Sequence, residues 1–129
     1  MKDIETIKDI ELLVNSFYKK VETSEIGVFF NEIAQVNWEK HLPKMYQFWR
    51  ALLFADIKFD GNPMGVHFPI NEKMPMKSQH FDTWLTLWKA TVDELFSGDM
   101  AESAKYKAEN IAKLMSYKME MATKLKNLN

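Results

Sequence analysis

Apolar residues recur along this chain at spacings of three and four, and that period predicts helices along most of its length. No segment sustains the two-residue alternation of a strand bounded by hairpin turns. The first stripe runs through Ile4, Ile7, Ile10, Leu13 or Val14, Phe17 and Val21, with Tyr18 at its edge. Ser24 and Gly27 interrupt it, and a short apolar piece, Ile26 to Ile33, follows. A second stripe joins Trp38, His41, Met45, Phe48, Trp49, Leu52 and Leu53. Pro43 is expected near the first turn, where a missing backbone N–H does least harm. A third helix is predicted over about Ser78 to Phe96, with Ser78 as N-cap, Gly98 beyond its end, and Phe81, Trp84, Leu85, Trp88, Val92 and Leu95 in register. The last is predicted from about Met100 to Leu125. Ala104, Ala108, Ile111, Met115, Met119 and Ala122 form its buried side, opposite a lysine-rich face read as solvated surface.

Ala55 to Lys77 breaks the pattern. Gly61, Pro63, Gly65, Pro69 and Pro75 exclude a long helix there. Structureless loops of this length are uncommon in compact domains and are usually functional or disordered. Met64, Val66, Phe68 and Ile70 give the stretch an apolar centre that disorder would waste, and His67 lies in the middle of it. With no repeat or low-complexity linker, one domain over residues 1–129 is expected.

Composition narrows the chemistry. Nine Phe, four Trp and nine Met suit either an ordinary helical core or one wrapped around a flat apolar ligand. A net charge of −1, with seventeen Lys and Arg against eighteen Asp and Glu, argues against nucleic acid as a partner. No apolar run approaches the ~20 residues needed to cross a bilayer, and Met1-Lys2-Asp3-Ile4-Glu5 is no secretory leader. A soluble, cytoplasmic protein without a membrane partner is expected. The chain has no cysteine, which excludes disulfides, thiolate metal ligands and covalent haem attachment.

The three histidines are the candidate ligands. His41 lies on an apolar stripe, where a hydrogen-bonded core-edge imidazole is the ordinary reading. His80 opens the third helix and fits exposure or a capping role. His67 is the unusual one, because an imidazole among Met64, Val66 and Phe68 needs a partner or a ligand. The chain lacks H-E-x-x-H, Glu-x-x-His, G-x-x-x-x-G-K-[ST], G-x-G-x-x-G and G-x-S-x-G. A Ser-His-Asp set dispersed along the chain stays open, with nothing in favour of it. The residues alone describe an all-helical domain presenting one imidazole from a short apolar segment, which is what a non-covalent haem pocket requires.

The order of these pieces resembles the truncated haemoglobins, specifically the bacterial group III branch. Phe17-Tyr18-Lys19-Lys20-Val21 is similar to that family's first pocket helix, and Trp38-Glu39-Lys40-His41 through Phe48-Trp49 to its distal helix. Gly61-Asn62-Pro63-Met64 with His67-Phe68-Pro69-Ile70 resembles its short proximal segment, and His80-Phe81-Asp82-Thr83-Trp84-Leu85 the start of the next helix. The likeness covers roughly Leu12 to Met115. The glycine pairs of other truncated branches are not evident, in keeping with group III.

The resemblance implies an all-α, two-over-two helical sandwich around a non-covalent haem b. His67 matches the proximal iron ligand. Tyr18, His41 and Trp84 match the polar distal positions; Phe30, with Phe29 beside it, the aromatic contact; and Met45, Phe48 and Trp49 the pocket wall. For Trp84 and Trp49 plain core packing is the alternative. The implied function is tight binding of dioxygen, with NO and CO as further diatomic ligands, for oxygen or nitric oxide chemistry. That use needs a separate reductase, and the protein is expected to be a monomer. A peroxidase-like activity is the alternative, for which Glu72 is the one nearby carboxylate to support His67; a haem-free helical interaction module is the third.

Overall fold

The computed structural model describes residues 1–128, and five α-helices and one π-helical turn account for most of them. Helix α1 spans Ile7–Glu22. Its start is a reciprocal cap: the Asp9 N–H donates to Thr6 Oγ1 at 3.2 Å, and the Thr6 N–H donates to the Asp9 carboxylate at 3.0 Å. Lys2 Nζ sits 2.7 Å from the same carboxylate. Ile10, Leu13, Val14, Phe17 and Val21 are buried, so the predicted stripe faces the core; Ile4 is buried too, but ahead of the helix.

Gly27 follows α1 at a point where a Cβ would lie 2.6 Å from the Glu22 carbonyl oxygen, so only glycine lets the chain turn this tightly. The turn leads into the π-helical segment Phe29–Ile33. Helix α2, Trp38–Phe54, contains Pro43 in its second turn rather than its first. One intrahelical bond is therefore missing there, at an exposed edge of the helix where water can reach the freed carbonyl.

The breaker-rich stretch holds α3, His67–Lys73, a helix of only two turns. Helix α4 is Ser78–Leu95 and α5 is Asp99–Asn127. The cap of α4 differs from expectation. Ser78 is the first helical residue, Lys77 precedes it, and the Lys77 N–H donates to His80 Nδ1 at 2.9 Å. Helix α5 takes its cap from the other end of the chain: the Met100 and Ala101 N–H groups donate to the Asp3 carboxylate at 2.9 and 2.8 Å. Gly98, at φ +142°, makes room, since a Cβ there would lie 2.5 Å from Asp3 Cγ. Burial raises the pKa of Asp3, but the N–H groups of Met100, Ile4 and Ala101 together pull it below the usual carboxylate value.

Helix α1 packs on α2 and on α4, α4 packs along α5, and α3 lies against α5 and the π-turn. The result is two helix pairs, α1–α2 and α4–α5, joined through α1 and α4. At the joint Trp88 is fully buried. Its ring stacks 4.1 Å from Trp49 and 6.4 Å from Trp84 by centroids, and its Nε1–H donates to the Ala104 carbonyl at 3.1 Å. Ala101, Ala104 and Ala108 give α5 a narrow buried face that lets it approach this aromatic column. Among the described residues no helix is long and apolar enough to cross a membrane.

Candidate functional site

Helix α3 is led in by a hydrogen-bonded turn over Pro63 to Val66, in which the Val66 N–H donates to the Asn62 carbonyl at 3.2 Å and the His67 N–H to the Met64 carbonyl at 3.3 Å, and it ends at Met74 before Pro75. Asn71, buried, ties this small helix down. Its side-chain amide donates to the Met119 carbonyl at 3.2 Å and to Thr123 Oγ1 at 3.1 Å, and its carbonyl oxygen accepts the Met76 N–H at 2.7 Å. α3 is thus fastened to α5 on one side and to the start of the α4 connection on the other. Asn71 escaped sequence reasoning, since a lone Asn on a short helix carries no period to read.

His67 is half-buried, and its Nδ1 is engaged by the Pro63 carbonyl. Burial holds the ring below its ordinary pKa, against the opposing pull of that carbonyl, so the imidazole is neutral near pH 7. A carbonyl only accepts, so the proton sits on Nδ1 and Nε2 carries a lone pair. Among the described residues no group pairs with Nε2. Among the described residues no side-chain nitrogen or oxygen is both sealed from solvent and unpaired, so Nε2 reaches open space. A neutral imidazole oriented by a backbone carbonyl, with a free Nε2, is the donor that a haem iron takes.

Across α1 and α2 lies a second polar pair. The Tyr18 hydroxyl is 3.3 Å from His41 Nε2. Rings enclose both: Tyr18 is edge-on to Phe17 at 4.9 Å, to Phe30 at 5.7 Å and to Trp38 at 5.4 Å, while Trp38 stacks on Phe30 at 5.8 Å. Burial pushes the Tyr18 phenol pKa upward, which keeps it a neutral O–H donor. Burial lowers the pKa of His41, and the charge of Lys44 lowers it further. Trp38 belongs to this cage although its place on the α2 stripe marked it only as core.

Of the remaining predicted site residues, Met45 and Phe48 are half-buried on α2 and pack against the core beside Leu42. Trp84 is half-buried and makes no direct bond to Tyr18 or His41; it reaches them through Phe17, whose ring is 5.9 Å away. Its indole N–H has no partner among the described residues and, like His67 Nε2, is not sealed in. Trp49 is turned into the column with Trp88. Phe29 is buried and edge-on to His80 at 4.9 Å, away from the Tyr18 ring. The partner of His67 Nδ1 is the Pro63 carbonyl rather than the Glu72 carboxylate. Phe59, from the loop after α2, packs on Phe48 at 5.4 Å, a contact with no sequence signal because its neighbours are polar.

A family model described as bacterial-like globin matches residues 3–122. The group 3 truncated haemoglobin ctb of Campylobacter jejuni is 26% identical over 109 residues, covering 81% of this chain and 84% of that protein. The crystal structure of a group III truncated haemoglobin from Campylobacter jejuni is similar in fold, with a TM-score of 0.79 at 24% identity, over 92% of this chain and 95% of that one. The all-α, two-over-two truncated-globin architecture expected from the sequence is the one observed.

Proposed function

Since the chain belongs to the bacterial-like globin family, we propose that it holds a non-covalent haem b through His67 Nε2 and binds diatomic gases beside Tyr18 and His41. The observation that carries this reading is His67 itself: a neutral ring, its Nδ1–H taken up by Pro63 and its Nε2 left without a partner among the described residues. When bound, haem supplies an iron that takes a diatomic gas and shares electron density with it.

The chain's own groups do the rest. The Pro63 carbonyl fixes the tautomer and rotation of His67, so the lone pair is presented in one direction. Phe30, Met45 and Phe48 offer apolar surface to a flat ligand and exclude water. Tyr18, kept protonated by burial, donates a hydrogen bond to a ligand atom that gains negative charge. With no ligand present, neutral His41 accepts this single O–H; by rotating at the half-buried edge of α2 it releases the proton to the ligand and gates access. Trp84 supplies a second N–H donor. Two donors favour retention of dioxygen over its delivery, which suits oxygen or nitric oxide chemistry supported by a separate reductase in the cytoplasm.

A peroxidase-like role is less well supported. It calls for a carboxylate behind the proximal histidine to raise its electron donation, and Pro63 supplies only a neutral carbonyl. Absorption spectra of the ferric, ferrous and carbonyl forms after haem addition test the proposal. The parent protein is expected to take up one haem and His67→Ala to lose it or shift its spectrum. A parent protein that takes up no haem, or a His67→Ala variant with the parent spectrum, refutes the assignment.

A further inference from the structure

The face of α5 opposite the buried alanines is not simply a solvated lysine surface. Tyr106 is 66% exposed, Leu114 51%, Tyr117 59%, Met121 37%, Leu125 57% and Leu128 81%. At 3.6 residues per turn these six fall within roughly 100° of the helix circumference, so they share one face, which Lys107, Asn110 and Lys124 interrupt. Taking about 200 Å² as the full surface of a large side chain, the stripe leaves about 700 Å² of mostly apolar area in water. Soluble monomers rarely leave so large a patch uncovered, and a stable interface buries about 800 Å² on each partner.

We propose that α5 pairs with α5 of a second copy of this chain in an antiparallel, twofold dimer. The stripe and its flank are self-complementary in that arrangement. With the axis at Tyr117, Tyr106 faces Leu128 of the second copy, Leu114 faces Met121, and the two Tyr117 rings meet. Along one flank run Glu109, Lys113, Glu120 and Lys124, where each helix already forms Lys113–Glu109 at 3.2 Å and Lys124–Glu120 at 3.4 Å. Antiparallel helices bring like flanks together. The same register therefore sets Glu109 beside Lys124 of the second copy and Lys113 beside its Glu120, opposite charges at every step. A parallel pair would instead set the second halves of the helices side by side, where Lys113, Lys118, Lys124 and Lys126 outnumber Glu120.

Charge also separates this occupant from an anionic membrane surface. The lysine-rich half would suit lipid headgroups, but the stripe continues past Glu109 to Tyr106. The open groove between α4 and α5, lined by Phe81, Leu85, Ala112 and Tyr117, adjoins the stripe on its charged flank and extends the area a second helix can cover. A dimer departs from the monomer expected from the sequence, because lysines between the apolar positions mask the stripe until the helix is placed.

Sedimentation equilibrium of the full chain tests this. The parent protein is expected to show the mass of two chains. Tyr117→Glu, which sets two carboxylates on the axis at an exposed position, is expected to show the mass of one, with unchanged helix content. Glu109→Lys should weaken association about tenfold, and the double variant Glu109→Lys/Lys124→Glu should regain most of it. A parent protein with one-chain mass up to roughly 1 mM overturns the proposal. So does a Tyr117→Glu variant that stays dimeric, or a double variant no better than Glu109→Lys. Co-sedimentation of one-chain protein with phosphatidylserine vesicles would assign the stripe to a membrane surface instead.

Discussion

Replacing Tyr18 with phenylalanine removes a single oxygen from the cage of Phe17, Phe30, Trp38 and His41 and leaves the ring in place. Among the described residues that hydroxyl has one partner, His41 Nε2 at 3.3 Å. The bond is long and its acceptor half-buried, so the loss to folding is that of a neutral hydrogen bond, about 0.5–1.5 kcal/mol. A fall in Tm of roughly 2–8 °C follows for a chain of this size. The effect on the ligand is larger. A donor to a group that carries charge contributes about 1.5–3 kcal/mol, and at about 1.4 kcal/mol per decade its removal speeds dioxygen release roughly ten- to a hundredfold. Stopped-flow displacement of dioxygen by carbon monoxide, followed in the visible spectrum, reads this rate directly. Carbon monoxide gathers less negative charge, so its own release should change by no more than about threefold over the same substitution. If Tyr18→Phe retains haem and releases dioxygen within about twofold of the parent rate, the phenol is not the donor and the role assigned to this side of the site fails.

Two further predictions concern the scaffold. The Lys2 side chain beside Asp9, with the N–H groups of Glu5 and Thr6, outweighs burial and lowers the Asp9 pKa to about 2. Its stabilisation is thus complete above the unfolded value near pH 4 and is lost as pH falls toward 2. Half-exposed Lys2 is screened by water, so about 1–2 kcal/mol should be involved, and urea midpoints of the parent and Asp9→Asn should converge over that window. Trp88→Ala leaves a cavity between Trp49 and Trp84 and should cost about 3–5 kcal/mol in urea unfolding; a loss under about 1 kcal/mol would mean that the column is not the structural joint.

The local pattern sufficed for the helices and for the oddity of one imidazole. Periods of three and four outlined α1, α2, α4 and α5 to within a few residues, because each must bury one continuous stripe. Glycines and prolines marked the stretch around His67, because they exclude a long helix whatever the tertiary context. What the sequence could not reach were pairings between distant residues. Asp3 caps α5 from the far end of the chain, Asn71 fastens α3 to Met119 and Thr123, and Tyr18 meets His41 across two helices. A periodic pattern records which face of a helix is apolar, but not which helix covers it or at what height. That is why Trp38 and Trp49, on the same stripe of α2, part ways: one joins the cage around Tyr18, and the other stacks on Trp88. For the same reason the apolar stripe of α5 came into view only when packing left it uncovered.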